Sequence, residues 1–305
     1  MLQRNGHYSN GKQRWFCPYC RRSLGWHNPS AKHAKEREWF RRWIVEGYSV
    51  RQLSSQSKHS PAKLYRMINY YLEQAPPPAG LGLAQCQHFV LDGTFLHRPR
   101  SLIALMDANS HVVVASQYPI SESSIPWLEA FFHHLMNKGL CPRSFTVDGN
   151  PKVMSVLRKF WPKVVIQRCL VHIQRQGLAW CRASPKTSYA RKLRNIFLGV
   201  TSITTQANRD KFIEDVTDWE RQYGYHIDHR PERGRVFSDI KRARSMLLRA
   251  LPDMFHYIDD SQIPFSTNGL ESYFSRLKSH YRQHRGLSKE KLSNYFNWYI
   301  YYVPK

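Results

Sequence analysis

The sequence is poor in acidic residues. Its 305 residues include 22 Asp and Glu against 46 Lys and Arg, which leaves a formal net charge of +24. The shortage is greatest in residues 149–209, which contain 12 Lys and Arg and no Asp or Glu. A positive surplus of this size repels itself unless a polyanion neutralises it, and nucleic acid is the usual polyanion. The charge balance therefore predicts a nucleic-acid-binding protein, with residues 149–209 as a path for a phosphate backbone. The alternative for this segment is a solvated basic face, although such faces normally mix both signs.

Other features are missing too, and each absence excludes a class of protein. No run approaches 18 apolar residues, so we expect no membrane span. The first seven residues lack the apolar stretch of a signal peptide, which predicts a cytoplasmic protein, associated with the nucleoid if the source is bacterial. Six scattered cysteines do not suggest a disulfide framework and are expected to be thiols or metal ligands. With 42% hydrophobic residues the chain is not expected to be disordered, and its length allows two or three domains.

A stretch rich in Pro and Gly separates an N-terminal module from the rest, and residues 75–84 are predicted to be a linker. Residues 39–74 contain three short helical patterns, the third with Ser60 as N-cap and Pro61 at its first position. Two short helices joined by a tight turn are typical of a helix-turn-helix, whose second helix enters the DNA major groove. A plain three-helix bundle is the alternative. The residues that a helix-turn-helix would direct at DNA are Lys58, His59, Lys63 and Arg66.

After the linker, the apolar pattern becomes that of β-strands. Five short apolar runs predict strands at residues 89–91, 102–106, 112–115, 145–147 and 164–166. Three antiparallel strands followed by helix–strand–helix–strand predict an α/β fold with a mixed five-stranded sheet and helices on both faces. Residues 85–169 would form the first part of this core. Residues 170–262 would be an all-α insertion, and residues 263–305 would be the C-terminal helices of the core.

Three acidic residues are candidates for catalysis. Asp92 and Asp148 each follow an apolar strand, and Glu271 begins a helical pattern whose apolar side faces the core. If the first and fourth strands are neighbours, both aspartates lie at the same sheet edge, where the sites of open α/β sheets gather. Singly, the aspartates are explained as Asp-Gly turns, and Asn268 with Glu271 as a capping box. Together, converging carboxylates in an acid-poor chain predict a divalent-cation site, where two magnesium ions would support phosphodiester cleavage.

Four motifs resemble a known family. In chain order they are Asp92-Gly93-Thr94, Val147-Asp148-Gly149, Arg168-Cys169-Leu170-Val171-His172 and the run from Thr267 to Lys278, with Ser121-Glu122-Ser123 and Trp127, Phe131 and Leu135 between the first two. Over roughly residues 85–295 the sequence is similar to the DDE transposases of the bacterial insertion-sequence and Mutator-like group.

The resemblance implies an RNase H-like core that cleaves and joins DNA at the ends of a mobile element. By it, Asp92, Asp148 and Glu271 are the catalytic residues and bind magnesium. The implied partner is double-stranded DNA, at the element ends and at the target, bound by a homo-oligomer. The core residues expected to contact this DNA are Arg168, Arg175, Arg191, Lys192, Arg194, Arg276 and Lys278.

Cys169 and His172 match a Cys-x-x-His element of the same family. Their spacing resembles that of zinc ligands, but no second pair follows nearby. Buried cysteines and hydrogen-bonded histidines are commoner than metal ligands, so we interpret both as structural residues of the site.

A second cysteine motif, Cys17 and Cys20, resembles the second half of a zinc ribbon that precedes many such helix-turn-helices. The expected first pair is absent, so residues 1–38 are predicted to be a partial zinc-ribbon-like segment. Two possibilities stay open for a zinc site. Either His27 and His33 complete it, or the reading frame begins upstream with the missing pair.

The leading hypothesis is a transposase that binds the ends of its own element and performs metal-dependent cleavage and strand transfer. An alternative from another class is a transposase-derived DNA-binding protein without catalytic activity, such as a repressor. A third is an RNase H-like nuclease with other substrates, because a fold alone does not fix a reaction. The presence of all three carboxylates favours an enzyme, and inverted repeats flanking the reading frame would favour the transposase.

Overall fold

The computed structural model describes residues 1–9, 11–25, 29–77, 82–229, 234–284 and 286–305. Backbone contacts divide the chain into two compact units, Met1–Gln74 and Ala75–Lys305. Part of the predicted linker, residues 78–81, lies outside the described residues. In the described ranges no helix combines the length and apolar character needed to cross a membrane.

The first unit joins a small sheet to three helices. Strands β1, β2 and β3 pair antiparallel in that order and cover Gln3–His7, Gln13–Phe16 and Ser23–Gly25. Helices α1, α2 and α3 cover Pro29–Glu46, Val50–Ser57 and Pro61–Leu72. The sequence prediction that the helical module begins at Trp39 is wrong, because the boundary between residues 38 and 39 falls inside α1. Residues 31–38 are rich in Ala, Lys, Glu and Arg and contain no Gly or Pro, so nothing stops the helix there.

Serine side chains cap α2 and α3. Ser49 Oγ accepts a hydrogen bond from the backbone N–H of Gln52, whose side chain accepts one from Ser49 in return. Ser60 Oγ accepts one from the N–H of Lys63, as predicted for the start of this helix. The apolar stripe of α3 is buried, which confirms its helical spacing; it consists of Leu64, Met67, Ile68 and Tyr71.

The second unit is built on a mixed five-stranded sheet. Its strands are β4 (His88–His97), β5 (Arg100–Asp107), β6 (Val113–Ile120), β7 (Ser144–Val147) and β8 (Val165–Arg168). They lie in the order β6-β5-β4-β7-β8, with antiparallel pairs from β6 to β4 and parallel pairs from β4 to β8. The predicted α/β class and mixed five-stranded sheet are confirmed.

The parallel pair β4–β7 brings together two segments that are far apart in the sequence. Its register aligns His88 with Ser144 and Val90 with Thr146. At the first of these positions His88 Nδ1 lies 2.9 Å from Ser144 Oγ, and both side chains are buried. A polar contact inside an apolar sheet therefore marks one position of this register.

Helices cover both faces of the sheet. In chain order the helices of this unit are α4 (Ile125–Asn137), α5 (Pro151–Phe160), α6 (Leu170–Cys181), α7 (Ser188–Gly199), α8 (Gln206–His229), α9 (Arg235–Ala250), α10 (His256–Asp259), α11 (Asn268–Arg282) and α12 (Lys289–Tyr302). On one face α4 and α5 share a core with the sheet, in which Phe132 meets Phe145 edge-to-face. On the other face α11 packs on β4, and Phe296 of α12 lies 4.9 Å from Tyr118, measured between ring centroids.

Helices α6 to α10 form an all-α insertion with an apolar core of its own. Within it α6 crosses α7 closely at Gly177, because a Cβ added there would overlap the buried ring of Phe197. Gly177 and Phe197 are both buried, so the Phe197 ring has no solvent-exposed space to move into.

We expect Gly177→Ala to destabilise the protein by about 1–3 kcal/mol, the usual cost of inserting a methyl group into a packed core. Gly199→Ala is the matched control, because nothing lies within 4 Å of a Cβ at that helical position. There the change is expected to stabilise by about 0.4–1 kcal/mol. Urea unfolding of both variants measures the difference, and equal stabilities would contradict the close crossing.

Candidate active site

The register of the sheet places two of the predicted carboxylates together. β4 and β7 run parallel, with Val90 paired to Thr146. β7 ends at Val147, so Asp148 directly follows the strand, and it is close enough to Asp92 for its charge to raise the pKa of that carboxyl. Side chains alternate between the two faces of a strand, so Asp92 lies with Val90 on the face covered by α11, and the charge of Asp148 reaches it there.

The interpretation of Asp92 and Gly93 as a turn is wrong. β4 continues through both residues to His97, so Asp92 lies inside a strand and pairs with Ala104 of β5. Gly93 has no Cβ, and one added there would overlap the carboxylate of Glu122. The glycine therefore makes room for a neighbouring acid and does not end the strand.

Burial is the main cause that raises the pKa of Asp92, to about 7. The charges of Asp148 and Glu122 act in the same direction, while a hydrogen bond from Gly93 N–H at 2.8 Å and the charge of His172 oppose it. The pKa of Glu122 is raised as well, first by burial and also by Asp148. Burial and the neighbouring carboxylates therefore disfavour the charged forms of Asp92 and Glu122. A bound cation would relieve this condition.

Glu271 enters the site from α11. The helix has Thr267 at its N-cap and Asn268 inside it, with no capping bond from either side chain, so the capping-box interpretation is wrong. Glu271 Oε1 lies 3.4 Å from His172 Nε2, and Oε2 lies 3.4 Å from a guanidinium nitrogen of Arg175. Oε1 is buried and, among the described residues, has no hydrogen-bond partner.

Cys169 and His172 are linked to this carboxylate. Thr267 donates its backbone N–H to Cys169 Sγ at 3.3 Å, and its hydroxyl lies 3.4 Å from His172 Nδ1. The pKa of His172 is raised to about 9, mainly by its hydrogen bond with Cys169 and also by the charges of Asp92 and Glu271. Burial opposes ionisation of Cys169, but hydrogen bonds from His172 and Thr267 outweigh it and lower the pKa of the thiol. The imidazole of His172 therefore faces Glu271 with Nε2 and the Thr267 hydroxyl with Nδ1, and the charge of Asp92 also acts on it.

Sequence reasoning did not assign Glu122 to the site. Ser121-Glu122-Ser123 belongs to the family resemblance, but nothing else in the sequence links Glu122 to the site. The available signal was a carboxylate in an acid-poor chain, placed between the two candidate aspartates.

The donor set is suited to magnesium, because oxygen ligands from carboxylates are what this ion prefers. Asp92, Asp148 and Glu271 supply such oxygens; the raised pKa of Asp92 and a Glu271 Oε1 that makes no hydrogen bond, with His172 Nε2 3.4 Å away, both fit the binding of a cation. Across the described residues, however, no three His, Cys, Asp or Glu side chains are close enough to form a metal cluster. Glu271 contacts His172 and Arg175 here.

The predicted DNA-contacting residues differ in exposure. In the first unit Lys58 and Arg66 are exposed, whereas His59 and Lys63 are half-buried with Lys63 Nζ 3.4 Å from His59 Nε2. In the second unit the exposed residues are Arg175, Arg191, Lys192 and Arg276, and the half-buried ones are Arg194 and Lys278.

Arg168 differs from the other predicted DNA contacts, because it is only 8% exposed. Its guanidinium occupies the place that a Cβ on Gly149 would take, and it donates to the backbone carbonyl of Asp148 at 3.3 Å.

The predicted zinc ligands Cys17 and Cys20 lie between β2 and β3 as free thiols. Backbone and side-chain hydrogen bonds from Cys20 lower the pKa of Cys17. His33 is on α1, 3.8 Å from Glu36, and His27 lies outside the described residues. Zinc at this motif stays a prediction.

A family model described as Transposase, Mutator family, matches residues 109–285, more than half of the chain. The match includes Asp148, the Cys169–His172 pair and Glu271, and it begins after Asp92. Among curated proteins none matches the chain.

Proposed function

Since the chain belongs to the Mutator family of transposases, we propose that it is a DDE-type transposase with an RNase H-like core. Its substrate is double-stranded DNA, which it cleaves at the ends of its own element and joins to a target. The observation that carries this proposal is the parallel pairing of β4 with β7, which brings Asp92 near Asp148 at the end of β7, while α11 brings Glu271 to His172, a residue that also feels the charge of Asp92.

In this proposal Asp92, Asp148 and Glu271 would hold two magnesium ions. When bound, the ions would supply Lewis-acid stabilisation of the charge that develops on the oxygens of the phosphodiester, and they would activate the attacking group. The three carboxylates bind and orient, and Glu271 is the one on a separate helix. His172 is a positioning residue, because it contacts Glu271 at 3.4 Å while its other ring nitrogen faces Thr267.

DNA recognition is divided between the two units in this proposal. The helix α3 of the first unit acts as the recognition helix of a helix-turn-helix, with Arg66 exposed on its surface. In the second unit, the acid-free segment of residues 149–209 holds the phosphate backbone without regard to base sequence. Zinc held by Cys17 and Cys20 would stabilise the small sheet that precedes these helices.

The test is a cleavage assay on DNA that carries the inverted repeats flanking the reading frame. We expect the purified chain to cut at the repeat ends with magnesium and not with a chelator, and to leave DNA with scrambled repeats intact. Specific binding without cleavage in magnesium or manganese would instead indicate the non-catalytic DNA-binding protein. Cleavage with no preference for the repeats would indicate a nuclease with other substrates.

A further inference from the structure

A cavity of ≈ 740 Å³ lies beside the loop between β7 and α5. Its walls are α5, the end of β8, and the end of α9 with the turn that follows. It is lined by three arginines, Arg158, Arg168 and Arg249, and among the described lining residues by one acid, Asp253. We call these four residues and their cavity the arginine pocket.

The arginine pocket has more positive than negative charge, although the charges of Asp148 and Asp253 both act on Arg168. Asp253 is engaged by Arg158, with a guanidinium nitrogen 2.7 Å from its Oδ2. Arg249 donates from Nε to the backbone carbonyl of Ser245 at 3.0 Å. Among the described residues no carboxylate lies within ion-pair distance of Arg168 or Arg249. The pocket therefore offers positive charge to an anion.

Arg168 is built into the pocket and does not extend from the surface. Its side chain is more than nine-tenths buried and is held against Gly149, where any larger residue would displace it. Burial lowers its pKa, and in the described part of the chain its Nε has no hydrogen-bond partner. Because Arg168 lines the cavity, a ligand that brings acceptor oxygens would meet a guanidinium whose position is already fixed.

The pocket and the candidate active site share one residue. The side chain of Asp148 belongs to the carboxylate site, and its backbone carbonyl accepts the hydrogen bond from Arg168. A DNA strand carries one negative charge for about every 3.4 Å of helix axis, so DNA held at the carboxylates presents further phosphates to this loop. Guanidinium groups bind phosphate through two parallel hydrogen bonds.

We propose that the arginine pocket binds a backbone phosphate of the DNA that neighbours the cleaved phosphate. This assignment rests on the proposed function, because it takes the DNA to be held at Asp92, Asp148 and Glu271. The pocket is a binding site that fixes the strand and takes no part in the chemical step.

The first test measures DNA binding as a function of salt with the full chain. Arg249→Gln removes an exposed arginine of the pocket, so the fold is expected to survive. We expect the negative slope of log affinity against log salt concentration to become shallower by about 0.9, the value for one lost phosphate contact, on every DNA sequence alike. Arg221→Gln is the matched control, because Arg221 is exposed on α8, and its slope is expected to equal that of the wild type.

The second test identifies the phosphate. Oligonucleotides with a neutral methylphosphonate at single positions around the cleavage site are bound by wild type and by Arg249→Gln. We expect one position next to the cleaved phosphate at which the modification weakens wild-type binding but has no further effect on the variant. Equal effects on both proteins at every position, or a slope matching the Arg221→Gln control, would overturn the proposal.

A free phosphate is the competing ligand for the same chemistry. Inorganic phosphate that raises the melting temperature of wild type but not of Arg249→Gln, without any coupled methylphosphonate position, would assign the pocket to a small anion and overturn the DNA assignment. Failure of the proposed function has a different signature. In that case the wild type does not cleave DNA in magnesium. If only the assignment of the pocket fails, the wild type still cleaves DNA and Arg249→Gln has the same salt slope as the wild type.

Discussion

We expect Asp92→Asn, Asp148→Asn and Glu271→Gln each to reduce magnesium-dependent cleavage of element-end DNA by at least about 10³-fold, while DNA binding should stay intact or become slightly tighter. A single group that stabilises developing charge is typically worth roughly 10²–10³ in rate, and a lost ligand also weakens the hold on the cation. Binding does not suffer, because each change removes a negative charge beside the phosphate backbone. Gel-based cleavage and filter binding at one salt concentration measure the two effects.

Control carboxylates must be exposed and remote from the sheet. Asp107 is unsuitable, because it is 4% exposed and accepts hydrogen bonds from Ser110 N–H and Oγ. Asp218→Asn and Glu214→Gln on α8 meet the requirement and are expected to cleave like wild type. If a variant of Asp92, Asp148 or Glu271 keeps near wild-type cleavage, that residue is not a ligand.

We expect removal of the first unit, Met1–Gln74, to abolish the preference for element ends but to leave weak binding to any DNA. Specific sites are typically bound about 10³-fold or more tightly than unrelated sequences, and we expect that ratio to fall close to one. The remaining affinity comes from residues 149–209, whose positive charge is unaffected. Competition binding with repeat and scrambled DNA measures the ratio, with circular dichroism to verify that the second unit is folded.

Point variants then separate recognition from simple attraction within that unit. Arg66→Ala is expected to relax the base preference, because an arginine that bonds a guanine edge contributes about 1–3 kcal/mol of discrimination. Lys63→Ala is expected to weaken all DNA alike, since its ammonium group beside His59 is suited to a phosphate. A terminal-repeat footprint that survives removal of the first unit would place recognition in the second unit instead.

Local patterns in the sequence were sufficient to predict the sheet and many of the residues in its strands. Strand periodicity located five strands, and the assumption that the first and fourth are neighbours is confirmed by the β4–β7 pair. The serine cap of α3 was also visible, because Ser60 and Pro61 act within one turn of the helix. Such features depend on residues that are close together in the chain.

What could not be predicted depends on contacts over long separations. The docking of Glu122 against Gly93 and the link from Cys169 through Thr267 to His172 join residues that no periodicity connects. The number of charged residues in a segment also does not tell how deeply each side chain is buried. Arg168 is predicted to contact DNA together with exposed cations, although it is almost fully buried. The N-cap at Thr267 was missed because Asn268 is a common capping residue.

The contact between His88 and Ser144 has a consequence for variation far from the carboxylates. A shift of one residue between β4 and β7 would send one aspartate to the opposite face of the sheet, since side chains alternate along a strand. His88 is four positions before Asp92 in β4, and Ser144 is four positions before Asp148, which follows the end of β7. The polar pair penalises such a shift because two buried polar groups would lose their partner. Substitutions at His88 or Ser144 can therefore inactivate the protein by misaligning intact carboxylates, with no change in any residue that meets DNA.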